Sequence, residues 1–205
     1  VLILSKRKMK NKRYIDQFMI RQIAGILILI QIILSQQVQE GTPYSQLNGL
    51  DNTYHSINLP LVDREAMLEE DSVKPQGTPY RYGFKHEVNY SPENSGIWEE
   101  TTDGGLLWQI SFKSEDAFAL SFEYDEFFIP EGGELYIMTP NYEMVQGAYT
   151  HLNNSNTRRF ATPHLKGDTA LIEYYQPPDT QGEFSLIITE IIHDYRDIMD
   201  FSSNG

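Results

Sequence analysis

The sequence has no cysteine among its 205 residues. Disulfides, thiolate metal centres and cysteine nucleophiles are therefore excluded. Basic residues are scarce after the first 40 positions. Residues 1–40 hold seven Lys/Arg against two Asp/Glu, a net of +5, which leaves nine basic and 27 acidic residues in 41–205, a net of −18. A body that acidic does not suit nucleic acid, whose phosphates call for Lys/Arg clusters. It fits solubility, or a partner with basic features. No apolar run reaches the roughly 20 residues that span a bilayer. Motifs that mark common active sites are missing as well: there is no Gly-x-Ser-x-Gly, no Gly-Asp-Ser-Gly, no His-Glu-x-x-His and no EF-hand loop.

The longest apolar run is Ile23 to Leu34, 12 residues, preceded by Lys6, Arg7, Lys8, Lys10, Lys12, Arg13 and Arg21 and followed by Ser35-Gln36-Gln37. Charged, then apolar, then polar is the order of a secretory signal peptide. Residues 1–36 are expected to be that signal, helical, with the true start at Met19 and the cut near Ser35 to Gln37. The same run left uncut would be a membrane anchor. The expected localisation is secreted, extracellular or periplasmic, with membrane contact only through the signal.

Residues 37–95 carry weaker patterning and are expected to form a linker or pro-segment, partly extended. Gly41-Thr42-Pro43-Tyr44 recurs as Gly77-Thr78-Pro79-Tyr80, and both copies read as extended proline segments. Asp63 to Asp71 can form two helical turns, marginal unless packed. Phe84 to Val88 alternates like a short strand.

From Gly96 the pattern changes. Ile97–Thr101, Leu106–Phe112, Ala117–Tyr124 continuing to Ile129, Glu134–Met138, Met144–Tyr149, Arg159–Thr162, Thr169–Tyr175 and Phe184–Ile192 read as strands, separated by Gly, Pro and Asp turn signals. About eight close-spaced strands without a helix-length pattern predict an all-β fold, an antiparallel β-sandwich of jelly-roll type, over residues 96–197. Residues 198–205 are expected to be a C-terminal linker. Period-two alternation puts Trp98, Trp108, Phe112, Phe118, Phe122, Phe128, Tyr136, Phe184 and Ile188 in the core.

Candidate chemistry is sparse. Glu123, Asp125 and Glu126 offer paired carboxylates of the kind glycoside hydrolysis uses, although on a strand beside aromatics they fit a solvated face. Asp168 after Gly167 suits calcium or, more simply, a turn. His55, His86, His151, His164 and His193 show no i+2 or i+4 pairing, so any metal centre would have to be assembled by the fold. Exposed Tyr or Trp offers a sugar platform, against the plainer use in cross-strand packing. Glu173 stands between apolar neighbours on a strand and, pointing inward, needs a partner, with Arg159 or Arg196 as candidates. No catalytic, cofactor-binding or metal residue is assigned, and no cofactor is expected.

Taken in order, several pieces form a series: Gly96-Ile97-Trp98, Gly105 to Ile110, Asp116 to Phe122, Phe127 to Ile137 with Pro130-Glu131-Gly132-Gly133 at its centre, Gln146 to Thr150, Phe160-Ala161-Thr162-Pro163, Leu165 to Asp168, Ile172-Glu173-Tyr174-Tyr175 and His193-Asp194-Tyr195-Arg196. This series resembles the N-terminal propeptide region of secreted lysyl endopeptidase-like, trypsin-like serine proteases of bacteria, including the Bacteroidetes group, over about residues 77–197. The resemblance implies a role in folding the protease or keeping it latent, and a cognate catalytic domain as partner, in cis or in trans. The family's catalytic His, Asp and Ser have no positions to be carried to, so this chain is expected not to be an enzyme, whether it is a piece of a longer protease, a truncated relative or free-standing. The alternative is a stand-alone secreted binding module for carbohydrate or protein.

Overall fold

A computed structural model gives the fold and describes residues 41–50 and 55–203. The expected signal segment, Met19 and the final two residues lie outside the described residues. Among the described residues eleven strands and three short α-helices follow one another. They are α1 (Tyr44–Asn48), β1 (Ser56–Asn58), α2 (Arg64–Ser72), β2 (Gly83–Tyr90), β3 (Ile97–Glu100), β4 (Leu106–Lys113), β5 (Ala119–Phe128), β6 (Glu134–Met138), β7 (Val145–Tyr149), β8 (Phe160–Ala161), β9 (Leu165–Lys166), β10 (Thr169–Gln176), β11 (Ser185–Asp194) and α3 (Ile198–Ser203). The chain is mostly β, as its alternation predicts. Among the described residues no helix is long and apolar enough to cross a membrane.

The strands form two sheets. One runs β1-β4-β10-β6-β7, with β3 sharing the outer edge of β4; the other runs β2-β11-β5-β8, with β9 sharing the outer edge of β5. All pairings are antiparallel except β1 with β4. After β4 the chain crosses to the second sheet for β5, returns for β6 and β7, crosses again for β8 and β9, returns for β10 and ends in β11.

Alternate residues from both sheets enter one core. Trp108, Ile110 and Phe112 of β4, Ile172 and Tyr174 of β10, and Leu135 and Ile137 of β6 share it with Leu120, Phe122 and Tyr124 of β5 and Leu186, Ile188 and Ile191 of β11. Each large side chain fully removed from water contributes about 1.5–3 kcal/mol. The Trp108 indole also donates to the Ser95 carbonyl (3.0 Å). Gly96, at φ 77°, is required here, because a Cβ would collide with that indole. Of the other expected core residues, Phe112, Phe122, Tyr136 and Ile188 are buried, and Phe128 and Phe184 are half-buried. Trp98 and Phe118 are 39% and 36% exposed. Trp98 lies on the edge strand β3, and Phe118 precedes β5, where its amide donates to the Asp194 carbonyl (2.9 Å). Leu106, two residues before Trp108 in β4, occupies the last rung of its ladder and is 38% exposed.

The boundary expected at residue 96 does not coincide with the edge of the sheets. β1 and β2 fall in the segment expected as linker, and β2 is a full edge strand against β11. The helix expected at Asp63 to Asp71 is α2, with the Asp63 carboxylate accepting from the Ala66 amide (3.0 Å) as its N-cap.

Glu173 differs from expectation in its partners. It is 0% exposed, and neither Arg159 nor Arg196 reaches it. Its carboxylate accepts from the side-chain amide of Gln109 (2.8 Å), its cross-strand neighbour, and from the backbone amide of Ser45 (3.1 Å). The segment 41–50 is thereby tied across β10. Tyr44 stacks on Tyr175 with centroids 4.6 Å apart, and the Ser45 hydroxyl meets that of Tyr142 (3.1 Å).

Candidate functional site

Apart from the Glu173 cluster, a dense set of side-chain hydrogen bonds gathers where β11 ends, at His193-Asp194-Tyr195-Arg196. Strand alternation sends His193 inward beside β2 and leaves the next three residues to turn the chain. The His193 Nδ1 lies 2.8 Å from Ser114 Oγ, and the same hydroxyl lies 3.4 Å from His86 Nε2. Ser114 is 0%, His193 1% and His86 5% exposed. A serine and a histidine at that distance have the geometry of a nucleophile and its base, but this hydroxyl is held between two rings with no face open to a substrate. The arrangement is a buried relay of three hydrogen-bonding side chains.

Asp194 holds the turn that follows. Its carboxylate accepts from the amides of Arg196 (2.7 Å) and Ile198 (3.0 Å). The Tyr195 hydroxyl donates to Asp71 at the end of α2 (2.6 Å). Arg196 donates to the same carboxylate (2.6 Å) and to the Arg81 carbonyl (2.9 Å), and its guanidinium lies over the ring of Tyr80 (4.9 Å). Arg81 and Lys74 also reach Asp71, at 2.9 and 2.7 Å. Hydrogen bonds from Lys74, Tyr195 and Arg196 hold the Asp71 carboxyl well below the usual carboxylate range. The Arg196 guanidinium is held more firmly protonated than usual by Asp71. Three separate stretches are thus locked together: α2, residues 73–82 and the end of β11. A groove of ≈ 500 Å³ between Lys74, Tyr80 and Arg196 lies on one side of the lock, and a groove of ≈ 790 Å³, lined in part by Arg64, Asp116, Phe118 and His193, lies next to the start of α2.

Burial pushes both relay histidines below the ordinary histidine value of 6.5, and His86 adds to the effect on His193. His164 is shifted the same way by burial. The folded chain therefore binds fewer protons than the unfolded chain as pH falls below about 6.5, so these groups leave stability intact above that pH and remove it below. The urea midpoint is expected to fall between about pH 7.5 and about pH 5.5, above the range where carboxylates titrate; an unchanged or rising midpoint would contradict the assignment.

The residues singled out in the sequence are scattered. Glu123, Asp125 and Glu126 form surface ion pairs with Lys85 (3.9 Å), Arg159 (3.3 Å) and Arg158 and do not converge on one site. Asp168 accepts from the Thr169 hydroxyl (2.7 Å) and lies 3.8 Å from Lys113, which is turn chemistry. His55 and His151 are exposed, and His164 packs its ring against Tyr82. Of the five histidines the fold brings only His86 and His193 together, with centroids 6.3 Å apart. Among the described residues no group of three or more His, Asp or Glu side chains is placed to hold a metal. Ser114 and Asp71 carry no motif that singles them out. No protein-family model matches the chain, and no solved structure matches it at a significant level.

Proposed function

We propose that the chain is a non-catalytic, propeptide-like domain of a secreted lysyl endopeptidase-type serine protease, which assists folding of the protease or keeps it latent. The observation that carries this reading is the lock at the end of β11. His193, Asp194, Tyr195 and Arg196 close the series that resembles the family, and all four side chains are engaged in fixing where the chain leaves the sheets. A fixed exit suits a domain that presents or restrains a following catalytic domain. The alternation of strands between the two sheets supports a jelly-roll sandwich, in which successive hairpins place their strands on opposite sheets. A domain that binds only the folded protease stabilises it by mass action, and one that covers the active site keeps it silent until cut away.

The second reading is a secreted binding module, favoured by Ile97, Trp98 and Leu106, which are 42%, 39% and 38% exposed at one sheet edge. The gene separates the two readings. Its frame is expected to continue past Gly205 into a segment with cysteines and Gly-Asp-Ser-Gly; a stop codon there favours the module. Added in trans to the separately produced catalytic domain, the chain is expected to slow hydrolysis of a lysyl-anilide substrate. An unchanged rate, with no complex on a sizing column, would sink the proposal.

A further inference from the structure

We infer that the groove beside the start of α2 is a binding site for a lysine- or arginine-bearing peptide segment, with the His193 Nε2 and the Asp116 carboxylate receiving the cation. His193 is one of the residues lining the ≈ 790 Å³ groove. That side chain is 1% exposed, its Nδ1 is committed to Ser114, and among the described residues its Nε2 has no hydrogen-bond partner. A buried ring that lines a groove with one nitrogen uncommitted is a polar group left for a guest.

The relay behind it can supply the right tautomer. With Nδ1–H of His193 donating to Ser114 Oγ, and the Ser114 hydroxyl donating to His86 Nε2, a lone pair is left at His193 Nε2. Desolvation keeps the two rings neutral, so the lone pair persists at neutral pH. Asp116 stands on the adjoining turn at φ 62°, exposed, and makes no hydrogen bond or ion pair among the described residues, yet its charge acts on His193. Asp168, on the opposite wall, is only partly neutralised by Lys113 at 3.8 Å. Phe118 lines the groove as well; its ring already carries the guanidinium of Arg64, 5.4 Å from its centre, which leaves its edge to pack against the alkyl stem of a guest.

Two features favour an anion, and both are engaged: the Asp63 carboxylate caps the N-terminus of α2 through the Ala66 amide, and the Arg64 guanidinium donates to the Tyr195 carbonyl (2.9 Å). What remains is an acceptor nitrogen, an unpaired carboxylate and an aromatic wall, which together match a primary ammonium or guanidinium on a flexible stem.

The test is an NMR titration of the full chain, reading the His193 Hε1 resonance near pH 7.5, with acetyl-Gly-Lys-Gly-amide as the probe. A saturable shift with millimolar affinity is expected, with no shift for the same peptide carrying norleucine. Asp116→Asn keeps the left-handed turn, since asparagine tolerates it, and is expected to weaken binding by about threefold to tenfold. Absence of a saturable shift, an equal response to norleucine, undiminished affinity in Asp116→Asn, or a response to inorganic phosphate in place of the lysine peptide would each overturn the assignment. The site does not depend on a protease as partner: failure of the titration leaves the frame test past Gly205 untouched, and the reverse holds.

Discussion

Replacing Glu173 with alanine is expected to lower the stability of the domain by about 3–5 kcal/mol in urea unfolding, because two charge-assisted hydrogen bonds of about 1.5–3 kcal/mol each are lost from a site closed to water. The carboxylate is 0% exposed and holds the Gln109 side chain and the Ser45 amide at 2.8 and 3.1 Å. Truncation leaves both donors facing a void. Glu173→Gln is expected to behave differently. A glutamine can accept from Ser45 through its oxygen and donate to Gln109 through its nitrogen, provided that the Gln109 amide turns over to present its oxygen. The loss should then stay near 1 kcal/mol, the worth of exchanging charged for neutral hydrogen bonds. Faster hydrogen exchange at Ser45 in the alanine variant, and slow exchange retained in the glutamine variant, would tie the effect to the segment 41–50. Equal losses in the two variants would contradict the role given to the carboxylate.

Tyr195→Ala is expected to cost about 3–5 kcal/mol, as truncation of a large buried aromatic does. The side chain is 0% exposed, its ring lies 6.0 and 5.4 Å from the guanidinium carbons of Arg81 and Arg196, and its hydroxyl reaches both Asp71 and the Arg81 carbonyl. Tyr195→Phe keeps the ring and is expected to cost only about 1 kcal/mol, because Asp71 retains Lys74, Arg81 and Arg196 and the Arg81 carbonyl retains Arg196. With alanine, residues 73–82 should also come loose, giving fast exchange there and trypsin cleavage after Arg81. Protection of that stretch in the alanine variant would show that the lock does not depend on the ring.

The strands most legible in the sequence are those bounded by Gly, Pro or Asp turns, β4, β6 and β10. Their alternation suggests one wet face, yet both faces are buried: Leu107, Tyr136, Leu171 and Glu173, on the side away from the main core, are closed to water as well. β2 was read as no more than a short strand in a linker because its inward positions include His86, a polar residue that blurs the period. β1 has three residues and a parallel partner some 55 positions away, so nothing local announces it. The partners of Glu173 were misjudged for a related reason. A strand shows which residues point inward but not which neighbour lies opposite, and the β4–β10 register is what places Gln109 beside Glu173. Arg159 and Arg196, the cations that seemed available, are engaged with Asp125 and Asp71. The resemblance drew attention to His193 through Arg196. Their convergence with Ser114, His86 and Asp71 was not legible, because it joins residues from four separate parts of the chain.

The order of strands also governs when the domain can fold. β10 lies between β4 and β6 in one sheet, and β11 lies between β2 and β5 in the other. The two central strands are therefore the last two made. Until Thr169–Asp194 has left the ribosome, β4 and β6 have no strand to join them, and neither do β2 and β5. Loop closure over such separations is slow, and the apolar faces stay open meanwhile. A nascent chain of this protein thus has neither sheet complete until Asp194 has been made, and both close only when β10 enters the middle of one and β11 the middle of the other.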